Sequence, residues 1–208
     1  MIGGIILEGV TGAGKSQTMR ALQAHPAFPA LLAGGPVFPE EDTLGEFMDE
    51  LRDPEIAPAQ RYARLIRVLD DLERAAAGAQ GRLGYLLERF HPSYYALVPD
   101  WRLYDAIDDR LRGLNATVVL LLAAPEQLER RALDRVDRQG WSEGMIAYFG
   151  SRQAANQAIA ESQQRRRACA RLSRLPTIEI DTTAMEWPRY AEQIVRAWSS
   201  SQAERGDK

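Results

Sequence analysis

The stretch Gly9-Val10-Thr11-Gly12-Ala13-Gly14-Lys15-Ser16 constrains this chain more than any other. It fits the phosphate-loop (Walker A) pattern G-x-x-x-x-G-K-[ST], whose four fixed positions arise by chance in a chain of this length on the order of once in a hundred. Ile5-Ile6-Leu7 before it is an apolar run suited to a buried strand, and Gln17-Thr18-Met19-Arg20-Ala21-Leu22 after it reads as a helix. Strand, loop and helix in that order predict an anion site. Gly12 and Gly14 let the backbone turn so that successive N–H groups face one anion. The start of the helix adds unpaired N–H groups and the positive end of its dipole. Gly12, Ala13, Gly14, Lys15, Ser16 and Gln17 are therefore the candidate nucleotide-binding residues. Lys15 is placed to reach the outer phosphates, and the Ser16 hydroxyl to hold Mg²⁺.

The remainder of the chain alternates short apolar runs with helical patterns. Val37-Phe38, Leu83 to Leu87, Thr117 to Leu122 and Thr177 to Asp181 are strand candidates besides the first. Thr117 to Leu122 is apolar almost throughout, as a strand covered on both faces is. Helical spacing predicts helices over Thr43–Leu51, Ala59–Ala77, Trp101–Leu111, Pro125 to Gly140, Glu143 to Leu172 with a break near Gly150, and Pro188–Trp198. The expectation is an α/β chain with a five-stranded parallel sheet between two helical layers, in one domain spanning 1–208 with a polar tail at 199–208. Ligands of such sheets bind at the carboxyl ends of the strands. The loop, Glu40-Glu41, Glu88-Arg89 and the segment from Pro125 all leave strands at that end.

Composition narrows the partners. The net charge is −3, so no global basic field argues for nucleic acid. No apolar run approaches the roughly 20 residues of a membrane span. Cys169 is the single cysteine, so no internal disulfide forms, which suits a reducing cytoplasm.

Three stretches together resemble the thymidylate kinase and deoxynucleoside kinase group of P-loop kinases. They are Leu7-Glu8-Gly9 through Ser16, Glu88-Arg89-Phe90-His91-Pro92-Ser93, and Pro125-Glu126 followed by Arg131 and Arg135. The resemblance implies a P-loop NTPase fold with a helical arginine lid at about 131–150. It implies transfer of the γ-phosphoryl group of ATP to a nucleoside, a nucleoside monophosphate or a similar small molecule, and it implies a homodimer. Glu88, at a strand end near Ser16, is the candidate second Mg²⁺ residue. Arg89 and Phe90 are the candidate acceptor-binding pair, Arg89 through its planar fork. Arg131, Arg135 and Arg138 fall at i, i+4 and i+7 on one predicted helix face, from which cations could close over the transferring group. By resemblance an acid after the second strand, Glu40 or Glu41, is the general base. His91 reads as a packing or hydrogen-bonding residue.

Two departures leave the acceptor open. Thymidylate kinases usually carry an acid where this chain has Thr11, and Val10-Thr11-Gly12 does not reproduce the deoxynucleoside kinase loop. A kinase of a non-nucleotide hydroxyl, such as an antibiotic or metabolite, and a nucleotide-binding regulatory protein are the alternatives.

Overall fold

The computed structural model describes residues 2–29, 37–38, 58–79, 83–134 and 140–206. Strands β1 (Ile2–Glu8), β3 (Leu83–Glu88), β4 (Ala116–Leu122) and β5 (Thr177–Asp181) form a parallel sheet, and the short β2 (Val37–Phe38) pairs with Leu86 and Leu87. The order is β2-β3-β1-β4-β5, so β1, which feeds the glycine-rich loop, lies in the middle. The helices are α1 (Lys15–Ala24), α2 (Pro58–Gly78), α3 (His91–Tyr95), α4 (Asp105–Gly113), α5 (Pro125–Leu133), α6 (Trp141–Phe149), α7 (Arg152–Leu172) and α8 (Trp187–Gly206).

Each face of the sheet has its own core, because alternate side chains of a strand point to opposite faces. Ile5, Leu7, Leu86, Val119 and Leu121 pack against Leu22 of α1 and Ile194 and Trp198 of α8. Ile6, Tyr85, Leu87 and Val118 pack against Leu69 and Leu72 of α2 and Ile107 and Leu111 of α4. Burial on both faces explains why the central strands read as continuous apolar runs.

Gly4 stands in the middle of β1 for a steric reason. It pairs with Tyr85 across the ladder, and the Tyr85 ring lies over it, donating its hydroxyl to the Leu114 carbonyl at 3.2 Å. A Cβ on Gly4 would sit 2.1 Å from that ring.

Helix α7 is drawn across the carboxyl ends of the strands by a buried amide. The Gln163 side chain accepts from Ala123 N and donates to Ala123 O, both at 3.1 Å, at the exit of β4. The expected break before α7 is present: Gly150 is left-handed and the Ser151 hydroxyl accepts the Ala154 N–H at 3.1 Å. Two expected helices differ. Trp101–Leu111 divides into a 3₁₀ turn (Trp101–Leu103) and α4, because the Asp100 carboxylate caps the turn by accepting Arg102 N. The helix from Pro125 stops at Leu133 rather than Gly140. The Trp141 indole takes the Ala132 carbonyl at 3.0 Å, and Arg152 draws Asp134 and Glu129 toward α7 at 2.8 and 2.7 Å. The face expected for Arg131, Arg135 and Arg138 falls partly on residues outside those described. Arg135, Arg138, Glu40, Glu41 and the helix expected at Thr43–Leu51 lie outside the described residues. Among the described residues no helix is long and apolar enough to cross a membrane.

Replacing Gly4 with Ala forces the Tyr85 ring to move in a packed core, at a cost of about 1–3 kcal/mol. Thermal unfolding of Gly4→Ala should show the midpoint falling by several degrees; an unchanged midpoint contradicts this packing.

Candidate functional site

The loop after β1 has the backbone that the sequence pattern requires. Gly12 and Gly14 are left-handed, with φ of 83° and 92°, and Ala13 N closes a turn on Val10 O at 3.1 Å. Neither glycine tolerates a side chain, since a Cβ on Gly14 would lie 2.4 Å from the Trp187 ring. Lys15 opens α1 and folds back, donating its ammonium to Gly9 O at 3.0 Å and Val10 O at 3.2 Å. The ammonium is thus held inside the loop. Ser16 and Gln17 are exposed at the head of α1.

The loop is pinned from behind. The buried Thr182 hydroxyl lies 2.9 Å from Ala13 O and 3.0 Å from Leu122 O, joining the exit of β5 to the loop. Arg131 donates to the carbonyls of Thr182 and Thr183 at 3.0 and 2.8 Å, and its guanidinium lies 5.9 Å from the Trp187 ring centroid. Burial and the neighbouring Arg130 lower its pKa.

On the other side of β1 lies a largely buried charged cluster. Glu8 is 0% exposed; its carboxylate accepts Phe90 N at 2.5 Å and the Ser93 hydroxyl at 2.8 Å. Arg166 of α7 reaches in, its Nε 3.5 Å from Glu8 Oε2 and its Nη2 3.2 Å from Ser93 Oγ, and it also bonds the Ser162 hydroxyl. Burial pushes the Arg166 guanidinium down to about 10; Glu8 opposes this and Arg89 adds to it. Arg89 is buried and holds a left-handed φ of 61°, while its N–H continues the ladder to Leu7 O at 2.9 Å. Such a conformation is costly for a residue with a Cβ. Here it bends the chain so that Phe90 N–H and Ser93 meet Glu8. Glu88, also buried, points to the opposite face, with Leu86 and Leu7 and beside α1.

Between the loop and α7 opens a cavity of about 490 Å³. Val10 and Thr11 line it on the loop side, Arg89, Ser93, Arg165 and Arg166 on the polar side. Trp141, Met145, Tyr148 and Phe149 of α6 supply an apolar wall.

The expected site residues therefore separate into groups. Gly12, Ala13, Gly14, Lys15, Ser16 and Gln17 form one loop and helix start, with Glu88 at the adjacent strand end. Arg89 lines the cavity, whereas the Phe90 ring is 1% exposed in the core, and only its backbone serves the site. Phe90 is not a cavity residue because the left-handed Arg89 turns its side chain inward. Arg131 is not poised as a free lid cation, because its guanidinium is bound to the carbonyls after β5. His91 is 0% exposed, 3.5 Å from the buried Asp108, and packs as expected. Glu8, Arg166, Gln163, Thr182 and Trp187 were not singled out by the sequence. For Glu8 a signal existed, a carboxylate closing an apolar strand. Arg166 lies in the run Arg165-Arg166-Arg167, which reads as a solvated helix face.

A parallel sheet of this order, with a glycine-rich loop between its middle strand and the next helix, is the fold of the P-loop kinases. Solved structures with that fold superpose along nearly the whole chain. YorR of Bacillus subtilis, determined in complex with phosphorylated GDP, is 16% identical over 93% of this chain and 94% of its own, with a TM-score of 0.58. Thymidylate kinase of Candida albicans is 15% identical over 97% and 93%, with a TM-score of 0.56. Shikimate kinase of Acinetobacter baumannii, in complex with shikimate, is 15% identical over 96% and 94%, with a TM-score of 0.54. No protein-family model matches the chain, and no curated protein matches it by sequence.

The buried Asp108 carboxyl has a pH signature. Burial alone would raise the Asp108 carboxyl, but bonds from His91, the Ser173 hydroxyl and the Arg174 N–H outweigh it and hold the carboxyl below its ordinary 3.8. A depressed acid contributes stability above its unfolded value and loses it as pH falls through the folded value. Asp108→Asn should cost about 1–3 kcal/mol at pH 7. The difference from the native chain should narrow below about pH 4 in urea unfolding; a gap independent of pH contradicts the assignment.

Proposed function

We propose that this chain is an ATP-dependent phosphotransferase that moves the γ-phosphoryl group to a small molecule, a nucleoside or nucleoside monophosphate in the first instance. The observation that carries the reading is the loop itself: left-handed Gly12 and Gly14 at the head of α1, with the Lys15 ammonium drawn over two loop carbonyls. A lysine held there exchanges carbonyl oxygens for phosphate oxygens with little movement, and the N–H groups of the loop and first turn supply the remaining donors.

The residues also fit a phosphate-bound Mg²⁺, which needs only one or two protein ligands. Ser16, exposed beside the loop, and Glu88, a carboxylate at the neighbouring strand end, would hold it, and the ion would neutralise phosphate charge. Arg131 and Trp187 lie on the side of the loop away from the cavity and would flank the nucleotide's base. The acceptor would occupy the cavity on Arg89. Its acceptor oxygen, a hydroxyl of a nucleoside or a phosphate oxygen of a nucleoside monophosphate, attacks the γ-phosphorus and the bond from that phosphorus to ADP breaks; where the acceptor is a hydroxyl, its proton passes to Glu40 or Glu41. Arg135, following α5, would act on the transferring group from the lid, within a single cytoplasmic kinase domain. The homodimer belongs to the same reading.

The first test is transfer of labelled phosphate from ATP to a panel of nucleosides, nucleotides and other alcohols. Transfer to a nucleoside or nucleotide supports the reading. Transfer only to a non-nucleotide alcohol moves the acceptor to the alternative class, and nucleotide binding without transfer to any acceptor overturns the kinase assignment. Lys15→Ala should remain folded by circular dichroism and lose about 10²-fold or more in turnover; retained turnover overturns the site. Arg131→Ala should weaken ADP about two- to fivefold, the worth of one exposed cation–aromatic contact. Arg135→Ala should lower kcat more than nucleotide affinity. Equal kcat losses in both variants would restore Arg131 to the transferring group.

A further inference from the structure

Helix α6 lies in the segment where the resemblance implies an arginine lid, yet Trp141–Phe149 contains no lysine or arginine. None of its nine residues is buried, although Trp141, Met145, Ile146, Tyr148 and Phe149 are large and apolar. Met145 and Phe149 pack in part against the neighbouring core, whereas Tyr148 is 62% exposed, its ring 4.8 Å from that of Phe149. Trp141, Gly144, Met145 and Tyr148 fall at i, i+3, i+4 and i+7 and so share one face of the helix. All four line the cavity that also reaches Val10 and Thr11 of the glycine-rich loop. Gly144 is the informative member. A glycine inside a helix is destabilising relative to alanine. Nothing in the backbone calls for it, since its φ is not left-handed, and a Cβ placed on it would meet nothing within 4 Å. At Gly4 and Gly14 a ring of the protein itself takes the space of the missing side chain. At Gly144 that space is left open to the cavity.

We propose that the Gly144 face of α6 selects the acceptor, and that the acceptor carries a flat apolar ring, which lies against the helix backbone at Gly144 between Trp141 and Tyr148. Those two residues are about 10 Å apart along the helix axis, the span of one ring system with its neighbours in contact. The Trp141 indole N–H is already given to Ala132 O, so the indole offers the ligand carbon surface. Ala96, Leu97, Ala158 and Ile159 line the same space. A cavity of about 490 Å³ suits a small molecule. Its continuity with Val10 and Thr11 makes that molecule the acceptor, because a ring seated on Gly144 leaves the rest of the ligand on the loop side. Flatness follows from the site, a gap one side chain deep bordered by aromatic rings, whose faces and edges attract another ring. An acceptor covered in hydroxyls gains nothing there, since an apolar lining leaves its hydroxyls without partners. The inference rests on the kinase reading for what becomes of the ligand; binding itself needs no ATP.

Three uncharged probes test it by ligand NMR on the full chain without nucleotide: 2-naphthol, its saturated and puckered counterpart decahydro-2-naphthol, and glucose. 2-Naphthol should bind more tightly than decahydro-2-naphthol, and glucose least. Gly144→Ala should raise the thermal midpoint, as the loss of a helix glycine does, and at the same time weaken 2-naphthol. Gly144→Leu fills the gap and should weaken it about tenfold or more. Tyr148→Ala should weaken it about three- to tenfold, the worth of a ring–ring contact. A fold that gains stability while losing the ligand separates a binding role for Gly144 from a structural one. The proposal is overturned if glucose or decahydro-2-naphthol binds as well as 2-naphthol, if Gly144→Ala lowers the midpoint, or if the Gly144 and Tyr148 variants bind 2-naphthol unchanged. It is equally overturned if Gly144→Leu alters the mass of the chain by light scattering and not its affinity for 2-naphthol, because α6 then meets a second copy. Binding of 2-naphthol as predicted by a chain that transfers phosphate to no acceptor would count against the kinase reading alone.

Discussion

The buried carboxylate of Glu8 is the contact on which the rest of the site depends. A carboxylate with no exposure is tolerated only when its oxygens are hydrogen-bonded and its charge is met. Here three groups from two other parts of the chain are brought together to meet it: the Phe90 N–H and Ser93 hydroxyl from the segment after β3, and Arg166 from α7. That requirement accounts for the left-handed Arg89, because only a sharp turn after Glu88 delivers both donors. It also accounts for the placement of α7 over the strand ends, where Gln163 makes the second attachment, at Ala123.

The glycine-rich loop divides the strand ends into two sides. Thr182, Arg131 and Trp187 stand behind it; Arg89, Arg166 and the α6 wall stand before it. The rear side is built from backbone carbonyls, one cation and a ring, where the proposed reading puts the nucleotide's base. The front side holds Arg89 and Arg166 beside the buried Glu8. The loop lies between, so in the proposed reaction the nucleotide's phosphates and the acceptor atom would meet at it.

Much of this was legible in the sequence because the relevant signals are local. The loop needs its glycines and lysine at fixed spacing, and β1, β3 and β4 are apolar because both their faces are covered. Glu88-Arg89 could be placed by its position at a strand end. What was not legible depends on contacts between distant segments. Nothing before Ala132 foretells that a tryptophan nine residues on will take its carbonyl and end α5. Phe90 has the composition of a binding residue, yet the backbone angle of Arg89 sends its ring into the core. Arg166 differs from Arg165 and Arg167 only in facing inward, since Arg167 pairs with Glu179 on the surface. Gly4 is explained by Tyr85 in another strand, about eighty residues away.

The most direct measurement is the position of the β-phosphate in a crystal of the protein grown with ADP. The account predicts that it lies within hydrogen-bond distance of the N–H groups of the loop and first turn of α1. It also predicts that the Lys15 ammonium has left Gly9 O and Val10 O for phosphate oxygen. ADP bound elsewhere, or bound with Lys15 still on those carbonyls, contradicts it.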